Sequence, residues 1–300
     1  MQPENLALLA ALITSVAFGI SDSLWKIPLR AFSPENCIFI RNIGTTLFLG
    51  IVAFFTKKVI YFEFEDVLYG IFISCISFFG LYFFGKSQRY SKLSVVAPLL
   101  TLISFIIFLV GVFWFGETVN TSKWLCFGLS LVGSFLISFQ WGNYQQKDNE
   151  NNKIGIKYGL LAAIFWGVSY TFFRETTLKL GVANFSFILE ATILVMSVLV
   201  IFFNKIFFKK QENLTENQPK ITKQKALFML LFIAFLGSAG VYCTNLGYQA
   251  VPVSSMVFFG IFGNIIPILM GKFFYKEQIS RQQYVGIVLQ ISAIAVFRLI

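Results

Sequence analysis

Long apolar runs, separated by short polar connectors, organise this chain from end to end. Ten such runs can be marked, at about Leu6–Leu29, Pro34–Phe55, Val67–Phe84, Leu93–Trp114 and Ser122–Phe139, then Gly155–Leu178, Ala183–Phe203, Ala226–Gly247, Val253–Phe274 and Gln282–Leu299. A helix needs roughly 20 apolar residues to cross the hydrocarbon of a bilayer, so each run is a candidate span. The pattern predicts an all-α integral membrane protein with ten transmembrane helices. Apolar residues do not alternate with the period of two that a lipid-facing barrel requires. Ser33-Pro34 opens the second run and Gly181 closes the sixth. Two longer polar stretches, Gly142–Lys153 and Lys209–Lys225, have no apolar face and read as solvated linkers.

Composition agrees with lipid as the solvent. The 300 residues are 57% hydrophobic and 13% charged, with 38 Phe, whereas a soluble domain is about 25% charged. Histidine is absent, which excludes Ser-His-Asp triads, HExxH zinc sites and His-ligated haem. Cys37, Cys75, Cys126 and Cys243 lie far apart in apolar runs and read as small hydrophobes. No metal or cofactor is expected. The net charge of +10 comes from Lys and Arg at the ends of apolar runs, the distribution that membrane insertion reads, so the expected partner is a lipid bilayer and not nucleic acid. No Lys or Arg precedes the first run. The basic leader of a cleaved signal is therefore missing, and Leu6 onward is expected to stay as a helix.

The chain also repeats itself. A shift of 148 residues carries the first run onto the sixth, placing Gly19 on Gly167, Ser21 on Ser169, Asp22 on Tyr170, Lys26 on Arg174 and Phe39-Ile40 on Phe187-Ile188. A shift of 160 carries the third to fifth runs onto the eighth to tenth, placing Tyr82 on Tyr242, Ser94 on Ser254 and Glu117 on Glu277. The expected organisation is one five-helix repeat over residues 1–140, a polar linker over 141–154, and a second repeat over 155–300. Five is odd, so each unit leaves the membrane on the side opposite its entry and the second copy must be inverted. Inverted repeats are a recurring build of secondary transporters, whose sites lie between the copies near the midplane.

Several stretches then resemble one family. SLWKIPLRAFSP followed by FIRN is similar to its Trp, basic residue, Ser-Pro and Arg-bearing second helix. SQRYSKLSVVAPLL followed by FWFGETVNTSKWL is similar to its Arg-Tyr turn, Pro-bearing fourth helix and Gly-Glu turn, and GYQAVPVSSMVFF with FFYKEQISRQQYVG repeats it. The chain resembles the ten-helix EamA-like branch of the drug/metabolite transporter superfamily. It departs from that pattern at Cys126, where Gly is usual in the fifth helix, at Lys276 before Glu277, and at Asp22, which is no hallmark of the family. The resemblance implies a transporter of small organic solutes working by alternating access, with no enzymatic activity. An amino acid or similar metabolite is the expected solute; exchange of nucleotide- or sugar-type metabolites is the alternative, and a polytopic channel the rival from another class.

Charges inside hydrocarbon cost several kcal/mol and usually face a cavity or a partner. Asp22, Lys26, Arg41 and Glu190 lie in or near spans, and Asp22 and Lys26, four apart, could neutralise each other on one helix face. Arg41 and Glu190 occupy nearly corresponding places in the two copies, with opposite signs, and are expected to line the cavity and bind a solute bearing both charges. Lys26, Arg41 and Arg174 could instead snorkel to headgroups, whereas Glu190 has too short a stem. Trp25, Tyr82, Trp166, Tyr170 and Tyr242 would offer apolar faces with polar tips, and Asn245, Gln249 and Asn264 amide donors and acceptors; core packing is the alternative for each aromatic. Pro98 and Pro267 would permit bending as gates. Glu117 and Glu277, by resemblance the family's turn glutamates, would cap the helices that follow them. Asp22 or Glu190 would serve any proton coupling.

Orientation is contested. Lys86, Arg89, Lys92 and the Lys205–Lys225 group fall on one side, against Lys57, Lys58, Lys123, Arg174, Lys179 and Arg298 on the other. Lys/Arg bias puts both termini outside; the resemblance puts them in the cytoplasm, at the inner or plasma membrane. Ten spans suffice for a complete pathway, so a monomer is expected.

Overall fold

The computed structural model describes residues 3–56, 63–91, 93–138, 149–207, 221–276 and 280–298. Among them all regular structure is helical: α1 (Pro3–Leu24), α2 (Pro34–Phe55), α3 (Phe64–Tyr90), α4 (Leu93–Leu99), α5 (Thr101–Phe113), α6 (Thr121–Ser138), α7 (Asn149–Thr171), α8 (Phe173–Leu180), α9 (Val182–Phe207), α10 (Lys223–Ala250), α11 (Val253–Phe273) and α12 (Arg281–Arg298). Helix is what hydrocarbon demands, because every backbone N–H must find its acceptor within the segment. The punctuation lies where the residues suggest. Ser33 is extended (ψ 158°) ahead of Pro34 at the start of α2, where a missing N–H costs nothing. Gly181, at φ 78°, ends α8 with its N–H on the Thr177 carbonyl.

The helices follow the predicted runs, except that α7 starts at Asn149, inside the stretch expected as a solvated linker, where Asn152 is buried and its carbonyl accepts from Ser91. The first run leaves α-helix at Leu24 for a 3-10 turn over Pro28–Arg30, and two runs are divided. The fourth divides at Leu100 into α4 and α5, two residues past Pro98, and the sixth divides at Phe172 into α7 and α8. By contrast α11 continues through Pro267. Among the described residues six helices are long and apolar enough to cross a membrane, with two shorter apolar ones at Thr101–Phe113 and Thr121–Ile137. Phe54, Phe72, Phe113, Phe228 and Phe273 point outward, as lipid-facing side chains do.

Packing runs between the halves more than within them. α1 lies on α10 and α11, α7 on α3 and α5, α2 on α9, and α6 on α12. Exchanging the two halves maps this set of pairings onto itself, because α1 corresponds to α7, α10 to α3, and α11 to α4 with α5. The core is thus an inter-half core. Gly80 on α3 shows how close the halves come: a Cβ there would overlap the indole of Trp166 on α7.

Candidate solute cavity

A cavity of about 180 Å³ lies between the halves. Each half gives it three of the residues expected from sequence: Asp22, Trp25 and Arg41 from α1, its C-terminal extension and α2, and Trp166, Tyr170 and Glu190 from α7 and α9. One wall is aromatic. Trp166 stacks on Tyr170 (centroids 6.3 Å), Tyr170 meets Phe173 edge-on (4.7 Å), and Phe173 meets Tyr248 (6.2 Å).

Glu190 and Arg41 meet. Nη1 of Arg41 donates to Oε2 of Glu190 at 2.7 Å, and the same oxygen accepts from Nδ2 of Asn42 at 2.6 Å and Oγ1 of Thr45 at 2.9 Å. Nη1 also donates to Oδ1 of Asn42 at 3.0 Å. The group is sealed, with Glu190 1% and Arg41 6% exposed, so the carboxylate is held by one charge and two neutral donors, the arrangement that lets a buried ion pair recover its desolvation cost. Gly237 on α10 abuts the guanidinium, and a Cβ there would collide with it. Asn42 is the 148-residue repeat-mate of Glu190, so matching positions of the two copies touch here.

Asp22 differs. Its carboxylate lines the cavity, within electrostatic reach of Arg41, yet no hydrogen bond or ion pair joins it to another described residue. The pairing with Lys26 expected from their spacing does not form, because α1 ends at Leu24 and the four-residue register is lost; Lys26 reaches over the Tyr275 ring at 5.9 Å.

The other expected residues lie elsewhere. Tyr82 stacks on Phe78 under the Lys86 ammonium, Tyr242 is half-buried against the core, Gln249 is exposed, and Nε of Arg174 donates to the Val251 carbonyl at 3.1 Å. Asn245 is buried and donates to Oγ of Ser186 at 2.8 Å. The side chains of Pro98 and Asn264, and all of Glu277, lie outside the described residues. Glu117 does cap a helix, but not the one that follows it. Its two oxygens accept from the N–H groups of Val253 and Ser254 at 2.9 and 2.8 Å, at the start of α11 in the other half. Asn120 takes the local role, accepting from Lys123 N at 3.0 Å.

Sequence reasoning passed over Asn42 and Thr45, and the cavity residues Thr14, Ser21, Ser77, Ser104, Thr244 and Tyr248. A polar residue one turn from a membrane charge, as Thr45 is from Arg41, was the available signal. The two ends of α3 also carry inter-half ties. Near its start, Lys179 bridges Asp66 and Glu175 at 3.2 Å each, with Tyr69 donating to Glu175 at 3.4 Å. Near its end, Ser87 donates to the Gly155 carbonyl at 2.7 Å and Ser91 to that of Asn152 at 3.2 Å.

With this geometry in place the sequence can be set beside known families. The profile of the EamA-like transporter family matches residues 5–139 and again residues 153–299. The chain belongs to the EamA-like transporter family, within the drug/metabolite transporter superfamily. It is therefore an integral, multi-pass membrane protein of a family of small-molecule transporters, built from two copies of one unit. A comparison with curated proteins gives no match. In fold, 29 solved chains match. One, described only as the crystal structure of a protein, has a TM-score of 0.65 at 13% identity over 98% of this chain and 96% of that one; at such identity the likeness speaks of fold alone.

Proposed function

We propose that the protein is a secondary transporter that moves a small organic metabolite, of amino-acid size, by alternating access across the cell membrane. The observation that carries this reading is the cavity: three acidic or basic side chains (Asp22, Arg41 and Glu190) from both halves face one small space inside a largely apolar bundle, where charge is usually retained for function. The two broken runs count as spans, giving ten crossings in two inverted units whose opposite packings would open the site to alternate sides. Size favours a modest solute, since a cavity of roughly 150 Å³ admits benzene and little more; a nucleotide would need a much wider state. The family resemblance supports cytoplasmic termini.

Reconstitution tests the reading. Proteoliposomes should take up labelled amino acids or amines saturably and show counterflow, and Trp166→Leu should reduce uptake at least tenfold without lowering the melting temperature appreciably. Cysteine pairs at Asp66/Lys179 and at Ser91/Asn152, cross-linked separately, should each block transport. Conductance without saturable uptake would replace this reading with a channel.

A further inference from the structure

We propose that the cavity selects a small organic monocation, a protonated amine, over zwitterions and anions, with Asp22 as the specificity-determining residue. This rests on the transport reading above and narrows its solute.

Among the described residues, Asp22, Arg41 and Glu190 are the only Asp, Glu, Lys or Arg side chains on the cavity wall. Arg41 and Glu190 cancel each other through a 2.7 Å ion pair, and Nη1 of Arg41 is already shared between Glu190 and Asn42. The guanidinium is also pinned against Gly237. Its Nε is buried without a hydrogen-bond partner, but its charge is already matched by Glu190, so the zwitterion expected from sequence would bring its negative end to a site that holds no spare positive charge. What remains is the single carboxylate of Asp22, facing open space and joined by no hydrogen bond or ion pair to a described residue. A charge in low dielectric needs a counter-charge; Arg41, within reach of Asp22, is already matched by Glu190, and a cationic solute would supply the missing one.

The rest of the wall suits the same class. Trp25, Trp166, Tyr170 and Phe173 line the cavity, and aromatic rings of this kind attract a desolvated ammonium electrostatically. Ser21 and Ser77 supply hydroxyl oxygens that can accept the remaining N–H bonds. The apolar part of the cavity, from Leu81, Leu100, Ile103 and Ile107, would take a short alkyl or aryl body.

An isosteric series reads this directly. Binding to the purified full-length protein is followed by tryptophan fluorescence, since Trp25 and Trp166 line the site, and by melting temperature. The probes are 3-methylbutylamine, the zwitterion leucine, the anion 4-methylpentanoate and the neutral 3-methylbutanol. The amine should bind at least tenfold more tightly than each of the others. Asp22→Asn should abolish that preference with the melting temperature retained, and Asp22→Glu should restore part of it, which covers the case in which the amide disturbs folding. Equal or tighter binding of leucine or 4-methylpentanoate overturns the proposal. So does an unchanged preference in Asp22→Asn, stabilisation by sodium ion with no response to the amine, or no binding of the amine at all. Failure of the two readings can be told apart. Amine binding without flux in proteoliposomes sinks the transport reading and leaves this one, while saturable flux of leucine that ignores Asp22 does the reverse.

Discussion

Glu190 accepts from Arg41, Asn42 and Thr45 at 2.9 Å or closer, whereas the carboxylate of Asp22, on the same cavity, is joined by no hydrogen bond to a described residue; only its backbone carbonyl accepts, from Gln88. Both are carboxylates in apolar spans, one from each half. Their difference teaches that the sign and depth of a membrane charge do not decide its role; the donors around it do. Glu190 is spent on holding α2 to α9. The Asp22 carboxylate is left open to the cavity.

The largest effect should come from breaking the held carboxylate. Glu190→Leu leaves the Arg41 guanidinium buried with no counter-charge, and removal of one partner of such a pair costs about 3–5 kcal/mol. Arg41→Met combined with Glu190→Leu should recover much of that loss, since two apolar side chains replace two ions. Denaturation of the detergent-solubilised protein measures both. Asp22→Asn, in contrast, should leave stability unchanged or raised. If Asp22→Asn proved as damaging as Glu190→Leu, the distinction between the two carboxylates would fail.

A second test presses on the same contact from α10. Gly237→Ala puts a methyl group where the Arg41 guanidinium lies, and overpacking of this kind costs roughly 1–3 kcal/mol. Adding Arg41→Met should relieve most of it, because the flexible thioether can move aside. A loss that persists in the double variant would show that backbone, and not Arg41, resists the methyl.

Much of this fold was legible because bilayer thickness imposes a length that residues display openly: the helices follow the apolar runs, apart from the start of α7 in a polar stretch expected as a linker, and Ser33-Pro34 and Gly181 mark ends where they were expected. The breaks at Leu100 and Phe172 were not legible. Pro98 precedes one and Pro267 sits within an unbroken helix, so proline alone does not tell a break from a tolerated kink. Within the site, Arg41 and Glu190 could be picked out as opposite charges at nearly matching places, and six of the expected residues do share the cavity. That the two ions satisfy each other was hidden, because a contact between residues 149 apart depends on how α2 crosses α9. Asp22 and Lys26 misled for the opposite reason: their spacing implies a pair only if the helix runs on, and it stops at Leu24.

Glu117 gives a smaller effect with its own use. Its carboxylate holds the first amides of α11 from across the half boundary, so Glu117→Gln should cost about 1 kcal/mol, typical of a cap, and should loosen that end of α11. Hydrogen exchange at Val253 and Ser254 should rise while that of α6 stays as it was. Exchange changing in α6 instead would return Glu117 to a role in its own turn.

The smallest effect lies at the start of α3, where Lys179, past the end of the sixth run, meets Asp66 and Glu175 over the Tyr69 ring. Hydrogen bonds to Asp66 and then Glu175 hold its ammonium above the ordinary value of 10.5. A raised value means a stabilisation fully present below 10.5 and lost as pH climbs through the folded value. The side chain is 43% exposed, so water screens the pair and Lys179→Gln should cost at most about 1 kcal/mol. Wild type and variant should therefore differ slightly at neutral pH and converge in strong alkali, whereas Asp22→Asn should show no convergence there, since its carboxylate is tied to no lysine. A large neutral-pH loss in Lys179→Gln would mean that this tie carries load on the scale of the buried pair, and that the division between one structural carboxylate and one free one leaves out a third site.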